Sequence, residues 1–372
     1  MKVPARASFD RPPLPAVAEA GASVSDGVLP RRALWPRLAL GLAVLVGAIL
    51  LAAAVGPAGI PADAVARIIL SRLPPAGGLA GGLPQSWQDI VWEVRLPRVV
   101  MAGLVGATLA FSGATYQAVF RNPLADPYLI GVAAGASLGA TVVIVSPLRY
   151  TFGGLSLVPL AAFAGALSAV VLAYGLARVG RTVPTVTLIL AGVAISSVAT
   201  SATSFLILAD SQRMLPALTW LLGGFNLSGW GKLWWVLPYV LPAAAVILLH
   251  GRILNVLQLD EEQAQQLGVN VERVKLLLLG AASLATAAAV SVSGIIGFVG
   301  LIVPHAVRML WGPDYRQLLP MSMVLGATFL ILADLLARTV NTPGEIPVGI
   351  ITAFCGAPFF LYLLRLRQRA VF

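Results

Sequence analysis

Long apolar intervals without Asp, Glu, Lys or Arg alternate with short charged stretches along most of the chain. About 20 consecutive apolar residues carry a helix across the hydrocarbon core of a bilayer, so an interval of that length predicts a membrane-spanning helix. Eight intervals have the length of one crossing: 38–62, 99–120, 127–148, 150–177, 182–209, 233–251, 317–333 and 346–364.

A ninth interval, 276–307, is 32 residues long and contains the sequence SVSGIIG. Paired Ser and Gly weaken a helix and permit a turn, so this interval predicts two shorter spans. The chain is therefore predicted to be an all-α integral membrane protein with ten transmembrane helices.

The composition agrees with this pattern. Hydrophobic residues make up 58% of the 372 residues and charged residues 11%, whereas a soluble domain has about half and about a quarter. With the N-terminus inside, 17 of the 25 Lys and Arg residues fall on the cytoplasmic side, as the positive-inside rule requires. An even number of spans then places both termini in the cytoplasm. The net charge of +10 reflects this topology, and no nucleic-acid partner is expected.

Residues 1–36 differ from the rest of the chain. They contain six prolines and no apolar run, so they predict a disordered cytoplasmic tail before a ten-span domain at 37–372. The single cysteine, Cys355, allows neither a disulfide framework nor a thiolate metal site. No metal or cofactor is expected.

One polar segment, LQLDEEQAQQLGVNVERVK at 257–275, interrupts the apolar pattern on the cytoplasmic side. Asp260 is a favourable N-cap, and Glu261 and Glu262 suit the positive end of a helix dipole. Gly268 is typical of the position just past a helix end. The segment therefore predicts a helix of about two turns.

Ala264 and Leu267 of this short helix are three residues apart and are predicted to share a small apolar face. The residues alone leave two interpretations open. The segment is either a solvated loop or a docking helix for a cytoplasmic partner.

Six stretches closely resemble the permease subunits of ATP-driven importers for iron chelates, haem and cobalamin, the FecCD-type permeases. The resemblance covers about residues 38–367 and leaves out the tail and the insert LPPAGGLAGGLPQ at 73–85. The stretches are EVRLPRVVMAGLVGATLAFSGATYQ (93–117), FRNPLADPYLIGVAAGASLGA (120–140), LILAGVAIS (188–196), WLLGGF (220–225), GIIGFVGLIVPHAVRMLWGPDYRQLLP (294–320) and EIPVGIITAFCGAPFFLYLLRLR (345–367).

The resemblance implies a type II ABC importer permease fold with ten spans per chain, in the inner membrane of a prokaryote. It also implies a homodimer with the pathway at its interface, two copies of an ATP-binding subunit, and a periplasmic or lipid-anchored substrate-binding protein. A cytoplasmic helix near 259–268 would seat in a cleft of the ATPase. The implied ATPase-coupling residues are Asp260, Glu261, Glu262, Gln263, Leu267 and Gly268.

Arg95 and Arg98 form a cationic pair on the outer side, in the sequence RLPR. They either snorkel to lipid headgroups or, as the resemblance implies, receive acidic residues of the binding protein. Arg338 matches a second docking position of the family. Asp334 lies one turn before Arg338 and is expected to neutralise it in part as an i, i+4 pair.

Three residues match gate positions of such permeases: Asn122 and Leu124 in the sequence RNPLADP, and Thr185 before the fifth span. Non-helical backbone at membrane depth is tolerated where it lines a cavity. A turn fixed by geometry alone is the alternative.

The chain has no nucleotide-binding loop of the form GxxxxGK[ST]. Gly231 and Lys232 are adjacent, but Asn226 and Leu233 stand at the outer positions of that pattern. This phosphate-binding loop needs all four positions. The chain is therefore not expected to be an enzyme, and ATP hydrolysis is assigned to a partner chain.

Two other functions are weaker interpretations. The sequence GASLG around Ser137 has the form of a hydrolase nucleophile elbow. However, Gly131, Gly135 and Gly139 repeat every four residues, as in close helix packing. An ion-coupled secondary transporter would need ionisable residues near mid-membrane, and only Asp334 lies well within a predicted helix. The substrate, an iron chelate such as a siderophore or haem, or cobalamin, is not specified by any His, Met or Cys cluster.

Overall fold

The chain is almost entirely helical in the residues that the computed structural model describes, which are 34–56, 58–72, 79–147, 151–152, 155–180, 182–226, 228–259, 261–342 and 344–368. This confirms the predicted all-α class. Residues 1–33 of the predicted tail and 73–78 of the insert lie outside the described residues. The last three residues of the predicted tail belong to the first helix.

The helices follow one another with short connections. They are α1 (Leu34–Ala54), α2 (Ala62–Leu70), α3 (Gln85–Asp89), α4 (Leu96–Val119), α5 (Val132–Val145), α6 (Leu157–Ala177), α7 (Thr185–Ala209), α8 (Met214–Leu221), α9 (Trp230–Leu249), α10 (Gly251–Val256), α11 (Glu261–Gln266), α12 (Val271–Ser293), α13 (Val299–Trp311), α14 (Tyr315–Thr339) and α15 (Val348–Gln368). A π-helical turn, Ile90–Arg95, joins α3 to α4, and a 3-10 helix, Pro127–Ile130, precedes α5. Two short antiparallel strands, β1 (Thr151–Phe152) and β2 (Leu155–Ser156), precede α6.

Seven helical segments of the described residues are long and apolar enough to cross a membrane: α1, Gln85–Val119, α6, α7, α9, α12 and α14. Three shorter apolar helices accompany them, namely α5, α13 and Val348–Tyr362 of α15. Each predicted span corresponds to one of these ten segments. The number of actual crossings stays a prediction.

The long ninth interval is divided as its sequence predicted. Helix α12 ends at Ser293 and α13 begins at Val299. Gly294 and Phe298, which bracket the break, both have a φ of 69°, in the region that ends a right-handed helix. Phe298 is not a glycine, so this conformation is held against its preferred backbone geometry.

The second predicted span, 99–120, begins about 14 residues after the start of the helical segment that contains it. Helical structure is continuous from Gln85 to Val119, and so includes charged residues that the charge-free interval excluded. Pro97 lacks an N–H and its ring crowds the carbonyl of residue 93. Just before it the helix widens into the π-helical turn, where the amide of Leu96 donates to the Val91 carbonyl, five residues earlier.

Helix α4 lies at the centre of the bundle, between α12, α13 and α14. Glycines allow the backbones to approach closely: a Cβ on Gly106 would lie 2.2 Å from the Gly326 carbonyl oxygen, and one on Gly113 would lie 1.9 Å from that of Gly300. Neither distance is possible for a real side chain. By contrast, α7 buries only Leu188, Gly192, Ala199, Thr203 and Ile207. Most of the surface of α7 is therefore not covered by the rest of the chain.

Candidate functional site: the short helix α11, the groove on α7 and an arginine–carboxylate cluster

The polar segment between α10 and α12 forms a short helix, α11, that ends in a Schellman motif. The amide of Gly268 donates to the Gln265 carbonyl at 2.9 Å, and that of Val269 to the Ala264 carbonyl at 3.2 Å. Gly268 has a φ of 80°, as expected for the residue that ends a helix in this motif. Asp260, the predicted N-cap, lies outside the described residues.

The faces of α11 are divided between the bundle and the exterior. Ala264 is fully buried in the main hydrophobic core, whereas Leu267 is 63% exposed. The prediction that these two residues share one apolar face was wrong: among the α11 side chains that the structure describes, Ala264 is the buried one, and Leu267 points away from the bundle. Of the predicted coupling residues with described side chains, Glu262, Gln263, Leu267 and Gly268 are all exposed.

Helix α10 ties this region to the α13–α14 connection. Asn255 donates to Asp314 at 2.7 Å and accepts from the amide of Tyr315 at 2.9 Å. Partial burial raises the pKa of Asp314, but donors from Arg316 and Asn255 outweigh burial and lower it to about 2. The carboxylate is therefore charged at any physiological pH, and the anchor does not titrate.

The predicted gate residues lie at the same end of the bundle. Asn122 Oδ1 accepts from the amide of Leu124 at 2.9 Å, which folds the turn after α4, and both residues are exposed. Thr185 begins α7 and lines a small cavity with Phe120 and Glu272. The structure thus brings Thr185 close to the end of α4, and the gating role of these residues stays a prediction.

A polar groove runs along the open side of α7, and the sequence reasoning did not identify it. Its two adjoining parts have volumes of about 760 and 580 Å³. Side-chain hydroxyls line it in pairs that recur at each turn of α7. They belong to Ser196 and Ser197, Thr200 and Ser201, and Thr203 and Ser204. Two of these hydroxyls, those of Ser197 and Thr203, donate to carbonyls of their own helix, and apolar side chains such as Ile207 and Leu208 complete the lining. The signal in the sequence was ISSVATSATS, where an otherwise apolar span carries hydroxyls at helical spacing.

Asp126 lies at the end of this groove nearest the turn after α4. Its carboxylate accepts from the amide of Tyr128 at 2.8 Å and so caps the 3-10 helix that precedes α5. Burial raises the pKa of Asp126 to about 6, and the hydrogen bond from Tyr128 only partly opposes this shift. The groove therefore contains one carboxyl group that titrates close to neutral pH.

At the opposite end of α4, Arg95 and Arg338 cap the C-terminus of α1. Arg95 Nη1 donates to the carbonyls of Ala53 and Ala54, both at 2.9 Å, and Arg338 Nη2 donates to the carbonyl of Ala52. These are carbonyls that the helix itself leaves without partners. Cations at this position also complement the helix dipole.

Arg98 connects two carboxylates. It binds Asp334 at 2.8 Å and Glu345 at 3.0 Å, while Asp334 also lies 3.7 Å from Arg338. The i, i+4 pairing of Asp334 with Arg338 is therefore confirmed. Only 4% of Arg95 is exposed, so the headgroup-snorkelling interpretation was wrong for Arg95. Arg338 is likewise buried, with 6% exposed. The docking role of Arg95, Arg98 and Arg338 stays a prediction.

The hydrolase interpretation is not supported at Ser137. Its hydroxyl donates to the Ala133 carbonyl at 2.8 Å. A Cβ on Gly135 would lie 2.3 Å from the Gly165 carbonyl oxygen, and one on Gly139 would lie 2.1 Å from that of Ala161. These two glycines pack α5 against α6, as predicted. Gly131 also faces α6, with Ala169 near its Cβ position, but it precedes α5 and has a φ of 93°.

Comparison with known proteins gives one consistent result. Residues 44–366 match the FecCD transport family. The chain is 50% identical to the cobalamin import system permease protein BtuC of Halobacterium salinarum, over 79% of this chain and 78% of that protein. It is 42% identical to the hemin transport system permease protein HmuU of Yersinia pestis, over 76% of this chain and 86% of that protein.

A solved structure shares the fold. It is described as a metal-chelate type ABC transporter in an inward-facing conformation, with a TM-score of 0.76 and 30% identity, and the match covers 89% of this chain and 99% of that chain. The resemblance found in the sequence is thereby confirmed, and neither an ion-coupled carrier nor a hydrolase is supported. This multi-pass membrane protein belongs to the FecCD transport family.

Proposed function

We propose that the chain is the permease subunit of an ATP-driven importer that moves a bulky metal chelate, either cobalamin, haem or a ferric siderophore, across the inner membrane of a prokaryote. The observation that carries the proposal is α11, a short acidic helix seated on the bundle by Ala264 with its other described side chains exposed. The hydroxyl-lined groove on α7 supplies a polar surface along the same bundle.

Energy enters through α11 in this proposal. Because the sequence has no nucleotide-binding loop of the GxxxxGK[ST] form, ATP hydrolysis belongs to a separate cytoplasmic subunit, present in two copies. The exposed Glu262, Gln263 and Leu267 form the contact surface for that subunit. The cytoplasmic position of α11, of both termini and of the tail at 1–36 follows from the distribution of basic residues.

A second copy of the chain closes the groove. Helix α7 exposes large apolar side chains beside its hydroxyls, including Val198 at 72% and Leu208 at 78%, and α15 exposes Phe354 at 76%. Exposed apolar side chains next to a cavity suit an interface between two copies around a shared pathway. Membrane lipid covers the remaining apolar surface.

The dimer can be tested with the native thiol. Cys355 is the only cysteine of the sequence and is exposed on α15. A spin label on Cys355 in purified wild-type protein places one spin on each chain. Double electron–electron resonance is expected to show a two-spin signal with a defined distance, and a signal without dipolar modulation would contradict the homodimer.

A substrate-binding protein, periplasmic or lipid-anchored, delivers the ligand at the outer end. Arg98 is the docking arginine best placed for this role, because 11% of its side chain remains exposed and its partner Glu345 is one-third exposed. An acidic residue of the binding protein would compete with Glu345 for the guanidinium. Such contacts mainly guide encounter and register.

The substrate is tested by reconstitution with the ATPase and binding protein encoded nearby. ATP-dependent uptake of cobalamin, haem and a ferric siderophore is compared in liposomes, with a hydrolysis-deficient ATPase as control. The relatives named above favour cobalamin or haem. Uptake that persists with the deficient ATPase would overturn the proposed function, whereas ATP-dependent uptake of the siderophore alone would support it and overturn only the preference among ligands.

A further inference from the structure

The last turn of α4 ends in a Schellman motif whose left-handed position is occupied by an arginine. The amide of Asn122 donates to the Gln117 carbonyl at 3.1 Å, and that of Arg121 to the Ala118 carbonyl at 3.2 Å. Arg121 has a φ of 48°, a region that favours glycine because a Cβ crowds the backbone there. Helix α11 ends in the same motif with Gly268 at this position. Glycine would therefore suit the end of α4 better than arginine does.

The side chain of Arg121 reaches the segment that leads into α11. Its Nε–H donates to the Leu257 carbonyl at 2.7 Å. In the opposite direction, Gln258 Nε2 donates to the Ala118 carbonyl at 3.1 Å. Leu257 is only 1% exposed, so the residue that accepts this bond is packed in the core. Two side-chain hydrogen bonds thus join the end of α4 to the residues that precede α11.

The same arginine begins the turn that carries the predicted gate. Asn122 follows it directly and holds the amide of Leu124 through its side chain. The turn continues to Asp126, which lines the hydroxyl groove beside α7. A displacement of Leu257 would therefore act on Arg121, the first residue of this turn. The turn reaches the groove at Asp126.

We propose that Arg121 is a positioning residue that transmits movement of α11 to the turn 121–126 through its hydrogen bond to the Leu257 carbonyl. The inference rests on the proposed function, because it takes α11 to be the element on which the ATP-binding subunit acts. The contact gives the arginine side chain a role at a backbone position that favours glycine. A planar guanidinium loses little freedom when it forms such a bond.

The decisive variant is Arg121→Gly, because it relieves the backbone strain while it removes the contact. If the arginine did no more than occupy this backbone position, the variant would be at least as stable as wild type and fully active. The proposal predicts equal or higher thermal stability and retained ATP hydrolysis by the assembled complex, with ATP-dependent uptake lowered about tenfold or more.

Arg121→Lys keeps a donor and is expected to restore most of the uptake. Arg178→Ala is the matched control, since Arg178 donates within its own turn, to the Gly180 carbonyl.

A second readout reports on the turn itself. In a Cys355→Ser background, Leu124→Cys places a thiol in the turn, and its reaction rate with a charged maleimide is measured in the complex with and without ATP. An ATP response that is present in the reference chain and lost when Arg121→Gly is added supports the proposal. A retained response, or wild-type uptake by Arg121→Gly, would overturn it while leaving the proposed function intact. If the wild-type complex shows no ATP-dependent uptake and the reference chain shows no ATP response, the proposed function fails and the inference fails with it.

Discussion

Arg98 on α4 donates to Asp334 on α14 at 2.8 Å, across 236 residues of sequence. Asp334 is 1% exposed and also faces Arg338 at 3.7 Å, so one buried carboxylate balances two guanidinium groups. A third arginine, Arg95, caps α1 beside them. The C-terminal ends of α1 and α14 and the N-terminal end of α4 are thereby joined by one cluster of charges.

Removal of the Asp334 charge is expected to destabilise the bundle. In Asp334→Asn, Arg338 loses the carboxylate that faces it and Arg98 keeps Glu345; breaking a buried ion pair in this way costs about 3–5 kcal/mol. Thermal unfolding of the purified protein in detergent measures the loss.

The matched control for this variant is Asp210→Asn. Asp210 pairs with Arg213 at 3.7 Å, and about a third of each side chain is exposed. Exposed pairs contribute below about 1 kcal/mol, so the melting temperature should hardly change. Equal changes in melting temperature for the two substitutions would contradict the conclusion that Arg98, Asp334 and Arg338 form a buried structural cluster.

Close helix packing at the centre of the bundle gives a second prediction. Gly113→Ala would force α4 and α13 apart, because the new Cβ would lie 1.9 Å from the Gly300 carbonyl oxygen, and overpacking of this kind costs about 1–3 kcal/mol or more. Gly280→Ala on α12 is the control, since no atom lies within 4 Å of its Cβ position. The control should be neutral or stabilising. A Gly113→Ala protein with the melting temperature of wild type would show that the helices are further apart than described.

Part of this architecture could be predicted from the sequence. The apolar intervals located the spans, SVSGIIG located the break before α13, and Gly268 located the end of α11, because each is a local signal. The helix from residue 85 to 95 was missed because charged residues interrupt its apolar pattern. The burial of Arg95 could not be foreseen, since its partners are carbonyls of α1 about 40 residues away in sequence. The groove on α7 was not predicted, because its Ser and Thr residues lie in a charge-free interval and do not interrupt the apolar pattern that identified the spans.

Asp126 predicts a pH dependence. Its pKa in the folded protein is about 6, above the ordinary value of 3.8, so the folded state takes up a proton before the unfolded state does. Stability is therefore expected to rise as the pH falls from about 7 towards about 4. Asp126→Asn cannot take up this proton.

The measurement is the difference in melting temperature between wild type and Asp126→Asn at about pH 7.5 and about pH 5, where general effects of pH on the chain cancel. The difference should shift in favour of wild type at the lower pH. A difference that is the same at both pH values would show that Asp126 titrates at its ordinary value.

The central claim is that ATP-driven transport is coupled through α11, and charge reversal on this helix tests it most directly. Uptake and ATP hydrolysis are measured in liposomes for the complex with Glu261→Lys and Glu262→Lys combined, with Asp63→Lys, an exposed acid on α2, as the control for charge reversal. The account predicts that the double variant loses ATP-dependent uptake by about tenfold or more, through lost assembly or lost coupling, while the control transports normally. Undiminished uptake by the double variant would contradict the account.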